Sequence, residues 1–273
     1  MTKVQHWVAI GSVFVVSAIL GRPAEADVEK LDIIYGNPNG DRIAGTSGPD
    51  EIYGSAEQDF IEGLGGADKI DCGGSAWDTV SYQRSPAAVS VILALLPGYP
   101  QTGGDAQGDT IVNCETLTGS YYDDLLAGDD KYNLIIGLEG NDLINGFGGP
   151  DWLVGGIGND TLLGGSGRDR LEGGPGADIF RFGGDIDSPK GDSDGIVDFG
   201  NGNDKLHFQF MTVGKVTAYT PLADYTAVLA PNEVGYTYFV GSNSTVVRTG
   251  ASSSFRIELQ GFTGTLSMSS FLP

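Results

Sequence analysis

The sequence predicts an all-β fold, a parallel β-solenoid of Gly- and Asp-rich nonapeptides closed at its C-terminal end by a β-strand cap. Three observations predict it. A nine-residue period runs through much of the chain. Glycine supplies 44 of 273 residues, about 16% against a typical usage of about 7%. That level excludes a helical bundle, because each interior Gly costs about 1 kcal/mol relative to Ala. Hydrophobic residues at 40% and aromatics at 10% exclude wholesale disorder. The charge balance excludes further classes. With 36 acidic against 15 basic residues and a net charge of −21, the chain is not built to neutralise nucleic-acid phosphates or to dock on an anionic membrane.

Residues 1–26 read as a signal peptide. Lys3 gives a positive start, Trp7 to Leu20 form an uncharged apolar run, and Ala24-Glu25-Ala26 offers an A-x-A cleavage site. The run is shorter than the roughly 20 residues a span requires, and no other segment of the mature chain is apolar enough to cross a bilayer. Cleavage near Ala26 removes Lys3, Arg22 and Glu25, leaving 13 basic and 35 acidic residues, net −22. The mature protein is then expected to be secreted or extracellular, with the periplasm as the alternative. In such a compartment Cys72 and Cys114 either form a disulfide or stay as two buried thiols.

Residues 27–81 form a first repeat array. Gly36, Gly45, Gly54 and Gly63 open units with Asp41, Asp50, Asp59 and Asp68 at position six and Ile43, Ile52, Ile61 and Ile70 at position eight. Cys72 is a one-residue insertion, after which GGSAWDTVS resumes the pattern with Asp78 and Val80. Residues 82–118 make a connecting β segment. Ala88–Leu96 reads as a buried strand, Gly103–Gly108 as a loop and Thr110–Thr118 as a second strand. Asp105 and Asp109 could hold an ion, but the plainer reading is of solvated loop acids.

Residues 119–208 form the second array. From Gly155 the chain reads GGIGNDTLL, GGSGRDRLE, GGPGADIFR. Extended backwards, the register puts Asp124, Asn133, Asp142, Asp151, Asp160, Asp169 and Asp178 at position six. Leu126, Ile135, Ile144, Leu153, Leu162, Leu171 and Phe180 fall at position eight. Degenerate units at 194–199 and 204–206 finish the array. In residues 209–273 Asp and Gly give way to Thr, Ser and Tyr. There Tyr236–Val240, Ser244–Thr249 and Phe255–Leu259 are the expected strands of an antiparallel cap.

The spacing has a physical reading. Glycines adopt positive φ without steric cost, so the first half of each unit is a turn. The second half is a short strand that sends the eighth residue to one face and its neighbours to the other. Two nonapeptides make one coil, and coils stack at about 4.8 Å through parallel backbone hydrogen bonds. Stacking aligns every second Asp into rows, one of Asp124, Asp142, Asp160 and Asp178, another of Asn133, Asp151 and Asp169. Upstream, Asp41, Asp59 and Asp78 face Asp50 and Asp68. At about 5 Å and an effective dielectric near 20, each like-charged pair costs roughly 3 kcal/mol. A divalent ion reverses that sign. Ca²⁺ suits an all-oxygen set including backbone carbonyls, whereas Zn²⁺ would want His or Cys.

These nonapeptides resemble those of RTX proteins, the haemolysin-type calcium-binding repeats that form a parallel β-roll. GGIGND, GGSGRD and GGPGAD match in full; GLEGND, GFGGPD and GLGGAD lack the second glycine. The resemblance implies several Ca²⁺ ions held by the position-six aspartates and by turn carbonyls such as those of Gly156, Gly158, Gly165, Gly167, Gly174 and Gly176. Sites are expected to weaken where the pattern degrades, at Glu57, Lys131 and Asn133. The ending IELQGFTGTLSMSSFLP resembles the C-terminal region of serralysin-type secreted proteins, a possible secretion-signal region. No H-E-x-x-H or G-x-S-x-G occurs, and after cleavage His207 is the one His left. The expectation is therefore a non-enzymatic, secreted calcium-binding protein with a structural or interaction role. The alternatives are an adhesin or matrix protein binding a polysaccharide or cell surface, or an accessory or degenerate hydrolase.

Overall fold

The computed structural model describes residues 7–10, 13–17, 31–75, 77–94, 100–183, 187, 192–209, 215–218, 233–239, 243–249 and 256–272. The expected cleavage site at Ala24–Ala26, and parts of the Ala88–Leu96, Tyr236–Val240 and Phe255–Leu259 strands, lie outside them. No α-helix occurs among the described residues, and the chain divides into two compact units, Met1–Leu126 and Ala127–Pro273.

In the first unit the eighth residues of the repeats fix the core. Ile43, Ile52, Ile61, Ile70 and Val80 are at most 1% exposed, and each such burial stabilises by about 1.5–3 kcal/mol. Asp32–Tyr35, Asp50–Tyr53, Lys69–Asp71 and Thr110–Val112 pair in parallel as one row. Arg42–Ala44, Phe60–Glu62, Thr79–Ser81 and Thr116–Thr118 form the other. Val13–Ser17 lies antiparallel to Asp32–Tyr35 and to Trp7–Ile10.

The connecting segment departs from its expected form. The strand expected over Thr110–Thr118 is two strands, one in each row. Asn113 takes φ 59° and turns the corner between them, its Nδ2 donating to Asp71 Oδ1 at 2.9 Å. The segment expected to be a strand over Ala88–Leu96 is a strand only at Ser90–Ile92. Cys72 and Cys114 are joined in a disulfide with Cα atoms 5.2 Å apart. Each follows one of two neighbouring parallel strands, so the bond ties adjacent coils.

The second unit repeats the plan. Leu134–Glu139, Trp152–Ile157, Arg170–Glu172, Asp194–Ile196 and Arg256–Gln260 pair in parallel. Leu143–Asn145, Thr161–Leu163, Ile179–Phe182 and Lys205–Phe208 form the second row. Between the rows Ile135, Ile144, Leu153, Leu162, Leu171 and Phe180 are fully buried. Ser244–Thr249 runs antiparallel to both Arg256–Gln260 and Glu233–Phe239 and closes this unit.

Candidate metal centre

The position-six aspartates form a hydrogen-bonded ladder. The backbone N–H of each donates to Oδ1 of the Asp in the following coil: Asn133 to Asp151, Asp142 to Asp160, Asp151 to Asp169 and Asp160 to Asp178, at 2.8–2.9 Å and 18 residues apart. The carbonyl of the same Asp accepts from the residue after the next Asp, as Thr161 N–H to Asp142 O at 2.8 Å. Asp169 and Asp178 continue the pattern onto Asp194 and Asp204, both at 3.0 Å. In the first unit Asp41 donates to Asp59, Asp50 to Asp68 and Asp59 to Asp78, at 2.7–2.8 Å.

One member of this ladder was not legible as a repeat. Asp68 N–H donates to Asp109 Oδ1 at 2.8 Å across 41 residues, and Ile111 lies in register with Ile70. Gly104–Val112 is therefore a further nonapeptide hidden in the connecting segment. The reading of Asp109 as a solvated loop acid is overturned. It is fully buried, and its Oδ2 accepts from Tyr82 Oη at 2.8 Å. The sequence signal was Gly104 and Ile111 flanking Gly108-Asp109, out of step with the eighteen-residue count.

Around most of the position-six residues the turn takes one of two forms; at Asp78 and Asp109 the second residue's N–H goes instead to Ser55 O and Ser85 Oγ. In the first, Oδ2 accepts the N–H of the residue four before it, the second of the unit. Asn37 caps Asp41, Thr46 caps Asp50, Ser55 caps Asp59, Ser120 caps Asp124 and Asp129 caps the amide oxygen of Asn133, at 2.5–2.7 Å. In the second, the second residue has positive φ and its N–H points elsewhere. Gly156 N–H goes to Gly173 O at 3.0 Å and Phe147 N–H to Asn145 Oδ1 at 3.1 Å. Here Asp68, Asp151, Asp169 and Asp178 keep a buried Oδ2 with no hydrogen-bond partner. The three units lacking a second glycine adopt this form too, with φ of 66° at Leu64, 88° at Leu138 and 71° at Phe147.

The glycines of the second form are sterically required. A Cβ on Gly156 would stand 2.0 Å from Leu138 O, on Gly158 1.7 Å from Gly140 O, on Gly165 2.1 Å from Phe147 O and on Gly167 2.0 Å from Gly149 O. Gly174 and Gly176 stack likewise at 2.1 and 1.6 Å on the carbonyls of Gly156 and Gly158. Turn carbonyls of one coil thus press on bare Cα atoms of the next, beside the buried carboxylates.

Burial dominates the electrostatics. It pushes Asp151 up to about 9 and Asp68 to about 8, with neighbouring aspartates adding to the rise. Asp169 and Asp178 go to about 7 by the same cause, opposed by the N–H groups of Asp151 and Asp160. Burial also raises Asp50, Asp78 and Asp124. Of the predicted aspartates only Asp41 is not buried. Among the described residues no group of three or more His, Cys, Asp or Glu side chains is arranged to hold a metal. A cation at these turns would draw on paired carboxylates together with carbonyls. That all-oxygen set, with buried carboxylate oxygens lacking partners, fits a hard divalent ion.

The RTX calcium-binding nonapeptide repeat matches the chain in four copies, at residues 35–70, 118–153, 145–180 and 154–188. These are RTX repeats. They make the chain a calcium-binding β-roll protein. No curated protein matches the chain. Among solved structures, it is similar to the AlgE6R2 subunit of the Azotobacter vinelandii mannuronan C5-epimerase. The identity is 31% over 57% of this chain and 90% of that one, with a TM-score of 0.32. It is also similar to the extracellular lipase LipA from Serratia marcescens, at 21% identity over 87% of this chain and 40% of that one, TM-score 0.29. Both superpositions are loose, and the assignment rests on the RTX repeats themselves. No helix among the described residues is long and apolar enough to cross a membrane.

Proposed function

We propose that the protein is secreted and that Ca²⁺ held between stacked Gly-rich turns drives folding of its β-roll, which then serves a structural or interaction role. The observation that carries this is the set of buried Oδ2 atoms of Asp151, Asp169 and Asp178, which have no hydrogen-bond partner. Left ionised without a cation, such oxygens oppose folding. The residues that would hold the ions are Asp142, Asp151, Asp160, Asp169 and Asp178, with carbonyls such as those of Gly156, Gly158, Gly165 and Gly167. In the first unit Asp68 is the corresponding residue. The ion supplies positive charge and six or more coordination places for oxygen.

Extracellular modules of this chemistry bind Ca²⁺ at about 10⁻⁴–10⁻³ M, so the roll would be loose in a cytoplasm and ordered outside it. Circular dichroism of the purified protein tests the reading. EGTA is expected to reduce the β signal and added Ca²⁺ to restore it; a spectrum indifferent to both would end the proposal. Secretion is tested separately, by N-terminal sequencing of protein recovered from culture medium, with Asp27 expected as the first residue.

A further inference from the structure

We propose that calcium is taken up only by the turns of the second form, and that the first-form turns are self-sufficient, so that part of the roll stays folded when calcium is withdrawn. This rests on the calcium reading above. The two forms differ in what completes the aspartate. At Asp41 and Asp59 every carboxylate oxygen already has a protein donor. Asp41 receives the backbone N–H and Nδ2 of Asn37; Asp59 receives the N–H groups of Asp41 and Ser55. Asp124 receives N–H groups from Val89 and Ser120 and the Ser120 hydroxyl. Thr46 gives Asp50 Oδ2 both its N–H and its Oγ1–H, while Asp50 Oδ1 stays buried without a partner. To ligate an ion through Oδ2, such a carboxylate would have to give up a bond within its own turn and rotate the second peptide.

The division is written in the second residue of each nonapeptide. Asn37, Thr46, Ser55, Ser120 and Asp129 are small polar residues whose side chains favour local closure. Leu64, Leu138, Phe147, Gly156, Gly165 and Gly174 sit at positive φ instead. The first-form turns cluster at residues 36–59 and 119–133, the second-form turns at 63–68 and 137–178. The final degenerate turn is closed as well, Gly200 N–H donating to Asp204 Oδ2 at 2.7 Å although Gly200 itself has φ 94°. The coils over residues 32–62 accordingly need no ion. Residues 137–182 depend on one.

Hydrogen-exchange mass spectrometry on the full chain, disulfide intact, tests this beside a calorimetric Ca²⁺ titration. At free Ca²⁺ near 100 times Kd, each ion slows exchange through unfolding by about 100-fold. Backbone amides within 137–182 should show at least that change between EGTA and Ca²⁺, while those within 32–62 change by less than about threefold. Loss of protection in 32–62 together with 137–182, with calcium binding intact, overturns the partition and leaves the calcium reading standing. No heat of binding and no change in either segment overturns both. A second measurement uses Phe147→Ser, which places a closing residue where φ is already positive. The stoichiometry should fall while protection over 32–62 is kept, and an unchanged stoichiometry counts against the rule.

Discussion

Replacing Cys72 and Cys114 together by Ala removes the covalent tie between two neighbouring coils of the first unit. The bond joins residues 42 apart in sequence, and the chain between them makes the excursion that supplies Tyr82, Asp109 and the hidden nonapeptide. In the chain-entropy account, closing a loop of that length stabilises the fold by about 4 kcal/mol. Both sulfurs are buried, so their truncation adds a packing loss of the same sign. With a urea dependence of about 2 kcal/mol per molar, the midpoint should fall by about 2 M. The assay is urea denaturation of parent and double variant by far-UV circular dichroism, in Ca²⁺ and in EGTA, with the parent also measured under reductant. The reduced parent should match the variant to within the packing loss. A loss below about 1 kcal/mol would refute the reasoning, since the excursion would then be ordered by pairing alone.

Other outcomes follow from the same geometry. Asp151, Asp169 and Asp178 have folded values of about 9, 7 and 7, above an unfolded value of about 3.9. Their contribution is therefore fully present below pH 4 and is lost as the pH rises through 7 and then 9. In EGTA the melting temperature of residues 137–182 should fall from pH 5 to pH 9, and a profile rising with pH would contradict this. Calcium uptake at pH 7 should release protons, read as a heat of binding that depends on the buffer's ionisation enthalpy. Gly158→Ala, with its Cβ forced to 1.7 Å from Gly140 O, should cost about 3 kcal/mol in calcium-bound melting. Phe147→Gly, at a residue already at φ 71°, should change stability by less than about 1 kcal/mol. Leu162→Ala, truncating a fully buried side chain, should cost about 3 kcal/mol by urea denaturation.

The eighteen-residue coil, the eighth-position core and the aspartate rows could be read from spacing, because each follows from a fixed period and one residue type. Three features could not. Gly104–Val112 continues the ladder after a detour of 41 residues, which no periodic count detects. Leu64, Leu138 and Phe147 look like defects in a glycine motif, yet the stacked turns hold them in the glycine conformation. The closing of Asp59 by Ser55 depends on which way one peptide N–H points, so an intact D-x-U step conceals a turn of different chemistry. The disulfide stayed undecided in the sequence because pairing needs Cβ geometry, which only the stacked coils provide.

The ladder also gives the roll a direction. Along the repeats, position-six residues such as Asp142 receive both of their inter-coil partners from the coil that follows: a carboxylate oxygen for the N–H, and an N–H for the carbonyl. Coils removed from the C-terminal side would strand buried backbone groups on the coil before them. Removal from the N-terminal side frees a carboxylate oxygen that water can reach, and costs less. Truncations are thus expected to be tolerated asymmetrically. In a chain emerging N-terminus first, each new coil completes its predecessor and leaves one unfinished edge at a time.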